Sequence, residues 1–290
     1  MATRINTKFV LILAGTVGVA VCIVGGLWVL QIRGDATRHI KAGDAIMAEA
    51  VALEATGEDA EANSRYEAAV KEYGRAVAKE GANLDYLFMV QSALLKIRPA
   101  TQDQANEYDM MRIGILNRVA RYRPRDPDAH LELVRELFRN ARWLDQSDMW
   151  QAVAEAAAEM LERVPGSETA QIYGRLYRGI AQMHRLGYGG VAVTARTATQ
   201  EEIDSTTADL VAFLKALPNS DLGWATLGEM QLSMARQARH EGRRAEAFFT
   251  DVDETIAQAL EAVPDGPEVA RVVALRLHAG AAHRRTAAQQ

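Results

Sequence analysis

The sequence predicts an all-α protein, a single transmembrane helix followed by an array of antiparallel helices. Three observations carry this reading. Phe9–Leu30 runs 22 residues without a charged side chain, about 33 Å of helix at 1.5 Å per residue and so close to the hydrocarbon thickness of a bilayer. All seven prolines (Pro99, Pro124, Pro127, Pro165, Pro218, Pro264 and Pro267) fall between segments of helical periodicity, as they must where an interior proline would lose a hydrogen bond and clash with the preceding turn. Aromatics make up only 6% of the chain and β-branched runs are scarce, a composition suited to helices packed through small side chains.

Taken in order, residues 1–8 form an N-terminal tail and 9–32 the transmembrane helix. A helix is the form in which a single segment satisfies its own backbone groups in hydrocarbon. Trp28 sits near the far end, where an indole lies at headgroup level. The run exceeds the 7–15 residues of a cleaved signal core, no Ala-x-Ala closes it, and Val21 precedes Cys22 where a lipoprotein signal wants a small residue. Arg4 and Lys8 precede the span while Arg33, Arg38 and Lys41 follow it, so charge bias barely orients it. The expectation is a single-pass protein of a bacterial inner membrane with its body outside the cytoplasm.

The body is expected over 33–280, with 281–290 a disordered tail. Apolar residues recur at three and four, as in Ile113, Leu116, Val119, Ala120 and again in Leu131, Val134, Leu137, Phe138. This spacing predicts eleven helices near 35–55, 59–80, 84–97, 102–122, 127–140, 147–163, 168–186, 200–216, 220–242, 244–262 and 267–279. Short connectors make neighbours antiparallel. Thr199 with Glu202 has capping-box spacing, Asp126-Pro127 puts proline in a first turn, Ser167 is a cap, and Gly187-Tyr188-Gly189-Gly190 ends a helix. The stretch Gly187–Ala198 is the one long loop. Tyr188, Val191 and Val193 within it suit either a linker or an added strand against a partner.

Comparison of blocks reveals a repeat. Tyr66, Ala69, Tyr73 and Ala76 share one helix face before Gly81. Tyr173-Gly174 with Tyr177, and Trp224 with Leu227-Gly228, place a large residue, a glycine and a neighbour one turn on. Interior glycines cost about 1 kcal/mol against alanine, so Gly174 and Gly228 predict close helix approach. On these residues the chain resembles the tetratricopeptide repeat (TPR) family. Boundary prolines 41, 53 and 46 residues apart (Pro124, Pro165, Pro218, Pro264) depart from a regular repeat of about 34. The fold implied is therefore a degenerate TPR-like right-handed superhelix of about five helix pairs.

Composition excludes several classes of function. The first 33 residues are basic, leaving 30 of the 33 Lys and Arg against all 38 Asp and Glu, a net of −8 for the body. Such a body is unsuited to nucleic acid. Cys22 is the one cysteine and lies within the span, which removes thiol catalysis and Cys-type zinc sites from the body. His240-Glu241 begins a zinc-protease motif, but Arg244 stands where the second histidine is needed, and the other histidines read as surface residues. Asp251, Asp253 and Glu254 lack the glycine and spaced oxygens of a calcium loop. No Walker loop, GxGxxG, GxSxG or kinase signature occurs. The expectation is no enzyme, cofactor or metal.

What remains is binding. The resemblance implies that first helices line a concave face that grips peptides or proteins, here Arg135, Gln171, Arg175, Arg178 and Glu229, with Ala225 and Leu232 beside them. Arginines on adjacent first helices would favour an acidic partner. The function expected is a membrane-tethered interaction scaffold, and the alternative is a structural component that associates with copies of itself through exposed helix faces.

Overall fold

A computed structural model of the chain describes residues 35–189, 198–242 and 245–288. The run Phe9–Leu30, and with it the expected anchor, lies outside these residues, as do Val191 and Val193 of the long loop. Among the described residues no helix is long and apolar enough to cross a membrane, and none of them forms a strand.

The described residues form eleven helices: α1 (35–56), α2 (Asp59–Lys79), α3 (Leu84–Leu94), α4 (Gln102–Tyr122), α5 (Pro127–Leu144), α6 (Ser147–Arg163), α7 (Glu168–Arg185), α8 (Gln200–Ala216), α9 (Asp221–His240), α10 (Glu246–Ala262) and α11 (Pro267–Ala288). Each predicted helix has its counterpart. Three ends differ. α3 stops at Leu94 rather than 97, and α5 continues to Leu144, ended by Asp145 in the left-handed region at φ 49°. α11 runs to Ala288, into the stretch expected to be a tail. The chain also divides into two compact units, Met1–Ile115 and Leu116–Gln290, where the sequence reading has one array.

Sequence signals account for the starts. Thr199 and Glu202 form the reciprocal capping box, Asp126 accepts from the amides of Asp128 and Ala129 with Pro127 behind it, and Ser167 accepts from Ala170. α7 ends as Gly187 takes φ +82°, and Tyr188 N–H then bonds the Met183 carbonyl at 3.0 Å. Thr250 lies inside α10, donating to the Glu246 carbonyl, so it starts no helix.

In the first unit, the face Tyr66, Ala69, Tyr73, Ala76 is buried. The two phenols it carries reach α1: Tyr66 donates to Glu54 at 2.7 Å and Tyr73 to Asp44 at 2.8 Å. Their rings supply apolar area while each hydroxyl keeps a partner, which avoids an unpaired buried donor. Glu54 also meets Lys96 and Arg98, each at 3.4 Å.

In the second unit α6 packs on α5 and α7, α8 on α7 and α9, and α10 on α9 and α11. Here the glycines act as the sequence suggests. A Cβ on Gly174 would stand 2.8 Å from Leu161 Cγ of α6, and one on Gly228 would stand 3.0 Å from Val272 Cγ1 of α11. Both are below ordinary contact, so the missing methyl sets the helix separation. A further join is Asp221, in the first turn of α9, whose carboxylate accepts from the Glu268 amide at 3.0 Å and the Val269 amide at 2.9 Å. It thus caps α11 from a neighbouring helix and offsets the positive end of that helix's dipole. Asp221→Ala is expected to lower stability by about 1–2 kcal/mol, with Asp221→Asn milder because one acceptor remains; urea unfolding of the two variants checks the order.

Candidate functional site

Between α5, α7, α9 and α11 the second unit forms a cavity of about 530 Å³ that is open to solvent. One wall is aromatic. Trp150 of α6, 2% exposed, stacks on His184 of α7 with ring centroids 3.7 Å apart and planes at 12°. Phe138 of α5 meets Trp150 edge-on at 5.9 Å and Tyr177 at 5.0 Å. These contacts gather three helices around one indole, whose N–H donates to Asp145 at 3.1 Å. Asp145 is placed there by the left-handed turn that ends α5, with its own amide bonded to the Ala141 carbonyl at 2.9 Å. An aspartate stands where glycine is usual, and its side chain supplies what glycine lacks, an acceptor for the indole.

Charged side chains complete the lining. Arg271 of α11 pairs with Glu229 of α9 and, at 3.1 Å, with Glu268. Glu268 Oε1 is 4.0 Å from Arg142 Nη2 of α5. Arg236 of α9 donates to the Leu275 carbonyl at 3.2 Å. Apolar side chains, Ile180, Met183 and Leu232 among them, fill the space between. The cavity therefore sets charges of both signs over a backing of buried aromatic and apolar side chains, a mixture by which pockets bind and orient a ligand.

His184 is the perturbed group. Burial lowers its pKa to about 4, the Asp145 carboxylate opposing that fall and the Arg142 guanidinium adding to it. The direction of the consequence follows from proton counting. Below about pH 6.5 the unfolded chain takes up a proton here that the folded chain refuses until about pH 4. Stability contributed by the neutral imidazole is thus complete above about pH 6.5 and is lost as pH falls through that window, by up to about 1.4 kcal/mol per pH unit. His184→Gln should flatten the acid limb between pH 4.5 and 6.5 relative to the unaltered chain, measured by urea unfolding at each pH.

Of the residues singled out by sequence, Glu229 lines the cavity, and Ala225 and Leu232 of the same helix face line it too. Arg135, Gln171, Arg175 and Arg178 are not among the lining residues. Arg178 forks onto Asp209 of α8, Nε to Oδ2 and Nη2 to Oδ1, both at 2.7 Å, and Arg175 Nη1 lies 3.8 Å from the same carboxylate. Asp209 is 4% exposed on its side chain, so these arginines neutralise a buried acid rather than await an external one. Arg135 lies over the Tyr173 ring at 5.4 Å, and Gln171 donates to the Leu161 carbonyl at 3.4 Å. On α7 the cavity face is Ile180, Met183 and His184, about 140° around the helix from Arg175 and Arg178 at 100° per residue.

His240 is exposed as the sequence suggests, but three other histidines depart from a surface reading. His130 is buried with a ring nitrogen 3.2 Å from the Pro124 carbonyl, His39 bonds Glu72 at 2.8 Å, and His184 is stacked. Among the described residues no group of three or more His, Cys, Asp or Glu side chains is arranged to hold a metal ion.

Comparison of the sequence with protein-family models and with curated proteins returns no match. Among solved structures, the chain is similar to a thermophilic TPR protein of Thermus thermophilus at a TM-score of 0.42 and 18% identity, covering 81% of this chain and 98% of that one.

Proposed function

We propose that the chain is a non-enzymatic, TPR-like interaction scaffold, tethered to a bacterial inner membrane by Phe9–Leu30 with its helices outside the cytoplasm, and that it holds a segment of a partner protein in the α5–α7–α9–α11 cavity. The observation that carries this is the cavity itself, about 530 Å³, lined mainly by α5, α7, α9 and α11 with Trp150 of α6, and combining a stacked Trp–His pair with unburied Arg and Glu side chains. The repeat-like spacing of Tyr173-Gly174 and Trp224 with Gly228 supports the family reading. Tethering raises the local concentration of the cavity at the membrane, so that a modest affinity suffices.

The test uses the full chain as bait in detergent-solubilised membranes. Ser233, half-buried on the cavity wall of α9, is replaced by Trp to fill the space. Capture of a defined partner by the unaltered chain and its loss with Ser233→Trp, at unchanged helicity by circular dichroism, is the expected result. Equal capture by both would overturn the reading. Protease accessibility in intact cells and opened vesicles tests the orientation, with cleavage in intact, outer-membrane-permeabilised cells expected.

A second reading, association of copies through exposed helix faces, is favoured by Trp143, which stands on α5 at 70% exposure. An indole so placed contributes little to a monomer and much to an interface. Sedimentation of the full chain over a tenfold range of concentration separates the two readings; a mass independent of concentration and equal to one copy removes the second.

A further inference from the structure

Most of the cavity's charges satisfy one another, and the two left over are of opposite sign. Arg271 lies between Glu229 and Glu268, and Glu268 reaches toward Arg142, so these four groups cancel. Asp145, 39% exposed on its side chain, has the Trp150 indole as donor and His184 at 3.9 Å as its nearest basic group. That imidazole sits in a stack that keeps it neutral at pH 7. Among the described residues no Lys or Arg forms an ion pair with Asp145. Arg236 in turn donates to the Leu275 carbonyl and forms no ion pair with a described carboxylate, which leaves most of its N–H donors available.

Size limits the shape of the occupant. The cavity is open to solvent, and a helix about 10 Å across would seat little more than one turn of 5.4 Å within its about 530 Å³. An extended segment passes its side chains into such a space singly, and each can meet a different wall.

Resting on the reading that the cavity holds a partner segment, we propose that this segment is extended and of mixed charge, with a basic side chain against Asp145 and an acidic one on Arg236. The apolar backing of Ile180, Met183 and Leu232 takes the small residues between them. A lone carboxylate beside an aromatic wall attracts a cation, and a guanidinium with free donors takes a carboxylate through two parallel bonds. A segment of like charge would meet one wall favourably and the other with repulsion, so the unpaired Asp145 and Arg236 select against uniformly acidic or uniformly basic partners. This differs from the acidic partner that the arginines of α7 imply by sequence, because Arg175 and Arg178 are held by Asp209.

The experiment is calorimetric titration of the full chain in detergent with four acetylated and amidated tetrapeptides: Lys-Ala-Ala-Glu, Lys-Ala-Ala-Lys, Glu-Ala-Ala-Glu and Gln-Ala-Ala-Gln. The mixed peptide is expected to bind at least about tenfold more tightly than the other three. Asp145→Asn and Arg236→Gln should each remove about tenfold of that affinity. Asn tolerates the left-handed turn and still accepts from the indole, so loss of charge is isolated from loss of fold. Equal binding of all four peptides, preference for either like-charged one, or no binding of the mixed one up to about 10 mM overturns the charge assignment. If capture of a partner nevertheless remains sensitive to Ser233→Trp, only this inference falls. If that sensitivity is absent as well, the binding reading falls with it.

Discussion

Trp150→Ala will destabilise the second unit by about 4 kcal/mol, the middle of the range for removing a buried aromatic side chain. The indole is 2% exposed and joins α6 to both α5 and α7, stacked on His184 and edge-on to Phe138. Its loss opens a void that those partners, held by their own helices, fill incompletely. For a unit of this size the change corresponds to a fall of about 8–16 °C in melting temperature. A second readout separates this from general loosening: with the stack gone His184 becomes hydrated, and its pKa should climb from about 4 toward 6.5, followed by the ring proton shifts. Trp150→Phe should recover more than half of the stability, since Asp145 is partly open to water once its indole donor is lost. Trp143→Ala, at 70% exposure, should change stability by less than about 0.5 kcal/mol. A comparable loss from Trp143→Ala would show that exposure is a poor guide here.

Arg178→Ala is the second large effect, expected at about 3–4 kcal/mol. Its guanidinium makes two 2.7 Å bonds to Asp209, an acid 4% exposed between α7 and α8. The pair gains little over apolar residues in the same place, but removing one partner strands a charge out of water. Arg175, at 3.8 Å, offers partial compensation, which keeps the figure below the top of the usual range. The aspartate's hydrogen bonds favour the charged guanidinium and raise the Arg178 pKa against the opposing effect of burial. Arg178→Lys should rescue poorly, because an ammonium cannot present the planar fork. Asp209→Asn combined with Arg178→Met should recover most of the loss, since the uncompensated charge is then absent. Urea midpoints of the three variants check the sequence of effects, and a mild Arg178→Ala with a severe double variant would contradict it.

The helices were legible in the sequence because their punctuation is local. Proline, glycine and the capping residues Asp126, Ser167 and Thr199 act within one turn of themselves, and the helices begin where those residues place them. The end of α5 was less legible, since Asp145 performs a turn that glycine usually marks. Azimuth was hardest. α7 contacts α5, α6, α8 and α9, and it buries Ala170, Gly174, Leu176, Tyr177, Gly179, Ile180, Ala181 and Met183, residues spread around most of its circumference. Periodicity then shows that a helix is enclosed but not which side faces which neighbour, and Arg178 and His184 are equally placed to line a groove. On α9, Trp224 with Gly228 fixed the rotation against α11, and there Ala225, Glu229 and Leu232 do face the cavity. His184 was missed because its burial comes from Trp150, 34 residues earlier on another helix.

The Asp221 carboxylate makes the first turn of α11 answer to the first turn of α9. The amides of Glu268 and Val269 bond to a side chain of α9 rather than to their own helix, so fraying at the start of α11 must also break these two bonds. Hydrogen exchange at these two positions is expected to be faster in Asp221→Ala than in the unaltered chain, because the carboxylate ties together two helix starts, Asp221 and Pro267, that are far apart in sequence. α9 and α11 are thus joined at their starts as well as along their packed faces.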